Sequence, residues 1–192
     1  MDTSRGPRPD SPRIRPVTDP DPRVQQLLAD AAGPGGTPLH IFTTLAHNPK
    51  VLRRSNQLGG TLLLSGSLPA RDREIVILRV GWNCRSVYEF GQHTVIGARS
   101  GLDQNEIRAV AGGDTGSWSR HDRALVDLAD DLCEQDCVSD ATWAVLSESF
   151  GSQEMVELVV LAGYYRLISG FLNSAGVQLD PGVPGWPEGV VP

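Results

Sequence analysis

Glu89 and His93 stand four residues apart, a carboxylate and an imidazole at helical spacing. On a helix that spacing puts both side chains on one face, within hydrogen-bond reach. Such a pair is a proton-transfer couple: the carboxylate fixes the ring tautomer and raises the ring's pKa, so that the ring exchanges a proton near neutral pH. Glu74 belongs to the preceding helix and reaches the same pocket if the two helices pack as a hairpin. Tyr88 adds a phenol beside Glu89. The same residues also fit an ordinary surface ion pair beside a buried tyrosine, and spacing does not separate the two readings. Two carboxylates and one histidine are also a partial ligand set, which keeps metal-dependent oxygenase chemistry as an alternative.

The elements that must position these residues are helical. Residues 70–100 carry Ile75, Ile77, Leu78, Val80, Val87, Phe90, Val95 and Ile96 at near-helical spacing. This reads as two helices broken near Asn83, which can cap the second. A buried strand over 75–77 is the alternative, but no hairpin turn signal flanks it. Upstream, Val24, Leu27, Leu28 and Ala31 begin a short helix. Residues 33–36 (Gly-Pro-Gly-Gly) break the chain before residues 38–42 resume it. Asn48 and Pro49 start a further helix that runs to about Leu64. Downstream, Gly101 ends one helix, and Asp103 with Glu106 forms a capping box for the next. A glycine loop at 112–116 follows. Three more helices are expected, from about Ser119 to Glu134, Ser139 to Phe150 and Ser152 to Ser174, the last ended by Gly176. The stretch 71–78 echoes 121–128, which is compatible with an internal duplication of a helical unit.

The chain has 192 residues, 40% of them hydrophobic, enough for one ordinary core. Residues 1–22 are charged and proline-rich and read as a flexible arm. Residues 23–178 read as a single all-helical domain, and 179–192 as a Pro/Gly-rich tail. A formal charge of −6 shows no basic footprint, so nucleic acid is not an expected partner. The arm has no apolar segment resembling a signal peptide, and the apolar stretch 155–172 is interrupted by Glu157 and Arg166, which favours a buried helix over a membrane span. Cytoplasmic location is expected. Cys84, Cys133 and Cys137 are an odd number, which argues against a disulfide framework. Cys133 and Cys137 read as packing residues, with no further ligand at zinc spacing.

The run 68–80 (Leu-Pro-Ala-Arg-Asp-Arg-Glu-Ile-Val-Ile-Leu-Arg-Val), then Tyr88-Glu89-Phe90, His93, Ala98, Gly101-Leu102 and Glu106-Ile107, resembles the carboxymuconolactone decarboxylase family. Its superfamily includes the alkylhydroperoxidase D type. His47-Asn48-Pro49, Trp118, Ala124-Leu125 and Glu157-Leu158 extend the likeness across roughly residues 38–178. The resemblance implies an all-α, hairpin-based alkylhydroperoxidase D-like fold that assembles as a homotrimer or hexamer, with the pocket near subunit contacts. In the peroxidase branch a Cys-x-x-Cys pair precedes the family histidine, and a glutamate precedes that pair. Anchored on His93, these positions fall on Ser86, Glu89 and Glu74, so the redox pair is absent. The decarboxylase branch needs neither cysteine nor cofactor and acts on a small carboxylated, enolisable lactone. It implies His93 as general acid oriented by Glu89, Glu74 as a second relay group and Tyr88 as an oxyanion donor. His47 falls near the pocket wall. Arg71, with Arg73 or Arg79 as alternatives, would bind the substrate carboxylate. The competing readings are a thiol-dependent peroxidase, a metal-dependent oxygenase and a non-catalytic helical oligomer.

Overall fold

The structure, a computed structural model, describes residues 6–32, 36–112, 116, 118–190 and 192. Among them are nine helices and no strand: α1 (Pro22–Ala32), α2 (His40–Leu45), α3 (Pro49–Leu64), α4 (Ala70–Asn83), α5 (Val87–Arg99), α6 (Gln104–Val110), α7 (Arg120–Gln135), α8 (Asp140–Leu146) and α9 (Ser152–Ala175). The chain break at 33–35, positions 113–115 of the glycine loop and residues 1–5 of the arm lie outside the described residues.

Local chemistry sets most of these boundaries. Asn48 accepts a hydrogen bond from the Val51 amide and Pro49 opens α3. Asp103 and Glu106 close a reciprocal capping box on α6. Ser119 and Ser139 cap α7 and α8. Gly101, at φ 100°, follows the end of α5, and Gly176, at φ 69°, ends α9, both in the left-handed region that glycine adopts without strain. Asn83 does not cap α5. It ends α4 and its amide donates to Asp130 Oδ1 at 2.7 Å, while Ser86 takes the N-cap position of α5 without a side-chain bond. Residues 75–77, the strand alternative, lie in the middle of α4.

That helix is the centre of the molecule. Ile75, Val76, Ile77, Leu78 and Val80 are all fully buried, so the apolar middle of α4 is covered by its neighbours, while its arginines stay at the partly exposed margin. α7 runs parallel beside it in a fixed register: Arg71 pairs with Asp122 at 2.8 Å and Arg79 with Asp130 at 2.6 Å, an offset of 51 residues each time. α5 returns antiparallel after the turn at 84–86. The two helices approach closely at Gly81, where a Cβ would stand 3.3 Å from the Phe90 nitrogen. α9 is long and apolar enough to span a membrane, yet its Leu158, Leu161, Ala162 and Tyr165 side is buried in the core. Its other side exposes Val156, Val160 and Leu167.

Residues 13–17 and 184–186 lie against this body. The Arg13 and Ile14 amides donate to the Ala175 carbonyl and the Val17 amide to Thr43. In the tail, Trp186 packs edge-on against Trp82, with ring centroids 5.4 Å apart. A Cβ at Gly91 would fall 2.2 Å from the Pro184 carbonyl oxygen, so the tail crosses α5 where no side chain stands in its way.

Candidate functional site

The α4–α5 hairpin carries out the juxtaposition expected of it. Glu74, fully buried in mid-α4, faces His93 of α5, whose Nδ1–H donates to Glu74 Oε2 at 2.6 Å. A carboxylate can only accept here, which fixes that nitrogen as protonated. On its other edge, His93 Nε2 lies 3.1 Å from Glu89 Oε1. Arg73 Nε donates to Glu74 Oε1 at 3.1 Å, so a chain of charges runs from Arg73 through Glu74 and His93 to Glu89. The Tyr165 ring meets the imidazole edge-on, centroids 4.9 Å apart.

Burial lowers the pKa of His93, but the charge and hydrogen bond of Glu74 and then those of Glu89 outweigh it and push the ring up to about 9. The imidazole is therefore a cation at neutral pH. Burial together with the charges of Glu89 and Glu74 raises the Tyr165 phenol well above its ordinary range, which keeps it protonated. Its hydroxyl has no hydrogen-bond partner among the described residues.

Glu89 and His93 form part of the wall of a cavity of about 220 Å³. Leu39, Ile41, Phe42, Leu63, Ile96 and Ile168 make it largely apolar, and Asn56, Gln92, Tyr164 and Tyr165 add polar points. No lysine or arginine lines it among the described residues. Glu74 lies behind His93, outside the lining. The site thus offers a proton donor, the His93 Nε2–H, beside a carboxylate, Glu89, at the wall of a small, largely apolar volume. Both ring nitrogens of His93 face carboxylates, so neither presents a lone pair to a metal. No group of three or more His, Cys, Asp and Glu side chains among the described residues is arranged as a metal site.

The other expected site residues are placed differently. The Tyr88 ring lines the cavity, but its hydroxyl donates to Asp180 of the tail and accepts from the Ile41 amide at 3.2 Å, so it is not aimed at a bound oxyanion. Burial, helped by Asp180, raises its pKa far above the usual value. His47 is exposed and its Nε2 donates to the Arg15 carbonyl at 2.9 Å, which holds the N-terminal arm. Arg71 is tied to Asp122 and Glu106 at the start of α7 and α6, and Arg79 to Asp130, so neither reaches the cavity. Only Arg73 of the three arginines touches the site, through Glu74. Tyr165, Gln92 and Asn56 are the polar lining that spacing did not single out. Gln92 is the immediate neighbour of His93 in sequence, whereas Tyr165 and Asn56 come from α9 and α3 and carry no local signal.

Residues 49–125 match the model of the carboxymuconolactone decarboxylase family. Among solved structures, an alkylhydroperoxidase AhpD core protein from Ralstonia eutropha JMP134, described as an uncharacterized peroxidase-related protein, is 19% identical with a TM-score of 0.76, covering 89% of this chain and 95% of that one. A peroxidase-related protein from Silicibacter sp. TM1040 is 15% identical, also at 0.76, covering 88% and 93%. The debrominase Bmp8 in complex with 2,3,4-tribromopyrrole is 12% identical at 0.69, covering 89% and 93%. At these identities the likeness is one of fold. No curated protein matches the chain by sequence.

Proposed function

We infer that this chain, a member of the carboxymuconolactone decarboxylase and AhpD-like superfamily, is a cofactor-independent proton-transfer enzyme, a decarboxylating lyase or a related isomerase, acting on a small enolisable ring compound. The observation that carries the reading is the His93 imidazolium held between Glu74 and Glu89 at the wall of an apolar cavity.

In a decarboxylation, the C–C bonding electrons of the departing carboxylate pass into the substrate's own carbonyl system and CO₂ leaves. The enolate that results takes a proton at carbon from His93 Nε2, and the ring regains its proton from water. Glu74 keeps the ring oriented and cationic until that transfer. The Tyr165 hydroxyl supplies a hydrogen bond for the enolate oxygen. In an isomerisation, Glu89 takes the proton from carbon and His93 returns one at another position. With no arginine among the described residues of the lining, His93 is the cation that meets a substrate carboxylate, so a compound with one acid group fits better than one with two.

Two further readings accompany this one. Val51, Leu58 and Leu64 on α3 and Val156, Val160 and Leu167 on α9 are exposed apolar residues of the kind a second copy covers, which supports a homo-oligomer. We also place the protein in the cytosol.

The test is proton exchange in D₂O followed by NMR, first with γ-carboxymuconolactone and then with monocarboxylated enolisable rings. The wild type should place deuterium at carbon, and His93→Gln and Glu89→Gln should lose the activity while keeping their fold. Exchange unchanged in both variants sinks the assignment.

A further inference from the structure

A second recess of about 370 Å³, sharing no lining residue with the Glu89–His93 cavity, is lined by Arg8, Asn83, Cys84, Cys133, Arg166 and Asn173 among others. Spacing in the sequence sets Cys133 with Cys137 and gives Cys84 no near neighbour. The fold makes a different pair. Cys84 follows the end of α4 and Cys133 lies near the end of α7, and the side-by-side packing of those helices brings the Cys133 thiol within hydrogen-bond reach of the Cys84 thiol and of the Asn83 side chain. Both cysteines are half-buried, Cys137 is exposed, and no disulfide joins any of them.

The surroundings are cationic at the rim. Arg166 donates to the Leu132 carbonyl at 3.0 Å and pairs with Asp136, which holds its guanidinium beside Cys133. Arg8 donates to the Cys84 carbonyl at 2.9 Å. We propose that Cys84 and Cys133 form a thiol–disulfide exchange site, distinct from the Glu89–His93 cavity, that reacts with an anionic low-molecular-weight disulfide and closes to an intramolecular disulfide joining α4 to α7.

Cys133 is the attacking group. The hydrogen bond from Cys84 draws its pKa down to about 7 against the opposing effect of burial, with the Asn83 amide and the Arg166 charge assisting and Asp130 opposing. A thiol whose pKa is drawn down toward ambient pH is well placed to attack a disulfide, and the Arg166 guanidinium held beside Cys133 favours its thiolate. The Cys133 thiolate forms an S–S bond to one sulfur of the small disulfide, whose own S–S bond breaks, and the released thiolate takes a proton from solvent. Cys84, on losing its proton, then attacks the Cys133 sulfur and expels the second small thiolate. The sum is two protein thiols and one disulfide giving one protein disulfide and two small thiols.

The experiment incubates the folded, reduced protein with glutathione disulfide in a glutathione redox buffer, alkylates the remaining thiols and maps the peptides. One disulfide between Cys84 and Cys133 is expected, with Cys137 alkylated. In Cys84→Ser, one glutathione should stay trapped on Cys133, added several-fold faster than on Cys137. Hydroxyethyl disulfide, which is neutral, should react more slowly at Cys133 than glutathione disulfide does. The proposal is overturned if Cys84 and Cys133 stay fully alkylatable at full oxidation, if Cys133 pairs with Cys137, or if Cys133 in Cys84→Ser reacts no faster than Cys137. Equal rates with the two disulfides would overturn the anionic preference.

Discussion

Glu74 Oε2 and His93 Nδ1 are 2.6 Å apart, in side chains that expose 0% and 5% of their surface to solvent. Each has a second charged partner, Arg73 for Glu74 and Glu89 for His93, and the buried pair rests on all of these contacts, because an unpaired charge there would neutralise or draw in water. The contact sets the protonation state of the ring.

Glu74→Gln removes the nearest anion and replaces it with a neutral group of the same shape. The ring then keeps only Glu89, and burial lowers its pKa toward or below the ordinary 6.5. Titration of the His93 ring protons by NMR should show the drop from about 9, and the alkaline limb of any turnover profile should move down with it. An unchanged ring pKa would refute the coupling.

The same shift makes folding stability depend on pH. The folded pKa of His93 lies above its unfolded value, so the stabilisation is fully present below pH 6.5 and is lost as pH rises through about 9. The unfolding free energy from urea titrations should fall over that window, by about 3 kcal/mol at most. His93→Gln should be less stable at low pH and should flatten the curve. A wild-type midpoint that rises with pH between 6.5 and 9 would contradict this.

Arg71→Ala separates a structural arginine from a substrate-binding one. It leaves Asp122 and Glu106 without their half-buried partner. Stability should drop by about 1 kcal/mol, in line with a partly solvent-screened pair. The KM of whatever substrate is turned over should not move. A large rise in KM with no loss of stability would restore Arg71 to the site.

Tyr88→Phe tests whether the phenol acts through the tail or on the substrate. Asp180 accepts from Tyr88, from Gln92 at 2.7 Å and from the His40 amide at 2.9 Å, and it is nearly buried. Losing one of three donors should cost about 1–3 kcal/mol and increase hydrogen exchange in residues 179–190, while turnover persists. Loss of turnover with an intact tail would make Tyr88 a catalytic donor after all.

Sequence made the helices legible because their ends are local chemistry: Asn48 with Pro49, Asp103 with Glu106, and Gly176 each act within a few residues of themselves. The Glu89–His93 pair is legible for the same reason, lying one turn apart on one helix. Glu74 depended on a hairpin packing that the apolar spacing of α4 and α5 suggests without fixing. Tyr165 and Asp180 reach the site from 72 and 87 residues beyond His93, and only tertiary packing brings them there. The arginines misled for a related reason. A charged residue in sequence gives no hint of whether its partner is a substrate or a carboxylate on a neighbouring helix, and Asp122 and Asp130 are such carboxylates.

The offset shared by Arg71–Asp122 and Arg79–Asp130 works like a vernier scale. If α7 slid one turn either way against α4, the residues opposite the two arginines would be Trp118 and Val126, or Val126 and Glu134. Neither shifted setting answers both cations, so greasy side chains that could tolerate several alignments are held to one by their charged margin. The accuracy with which Cys133 meets Cys84, and with which the central helix presents Glu74, is then inherited from two surface-edge ion pairs whose own energies are small.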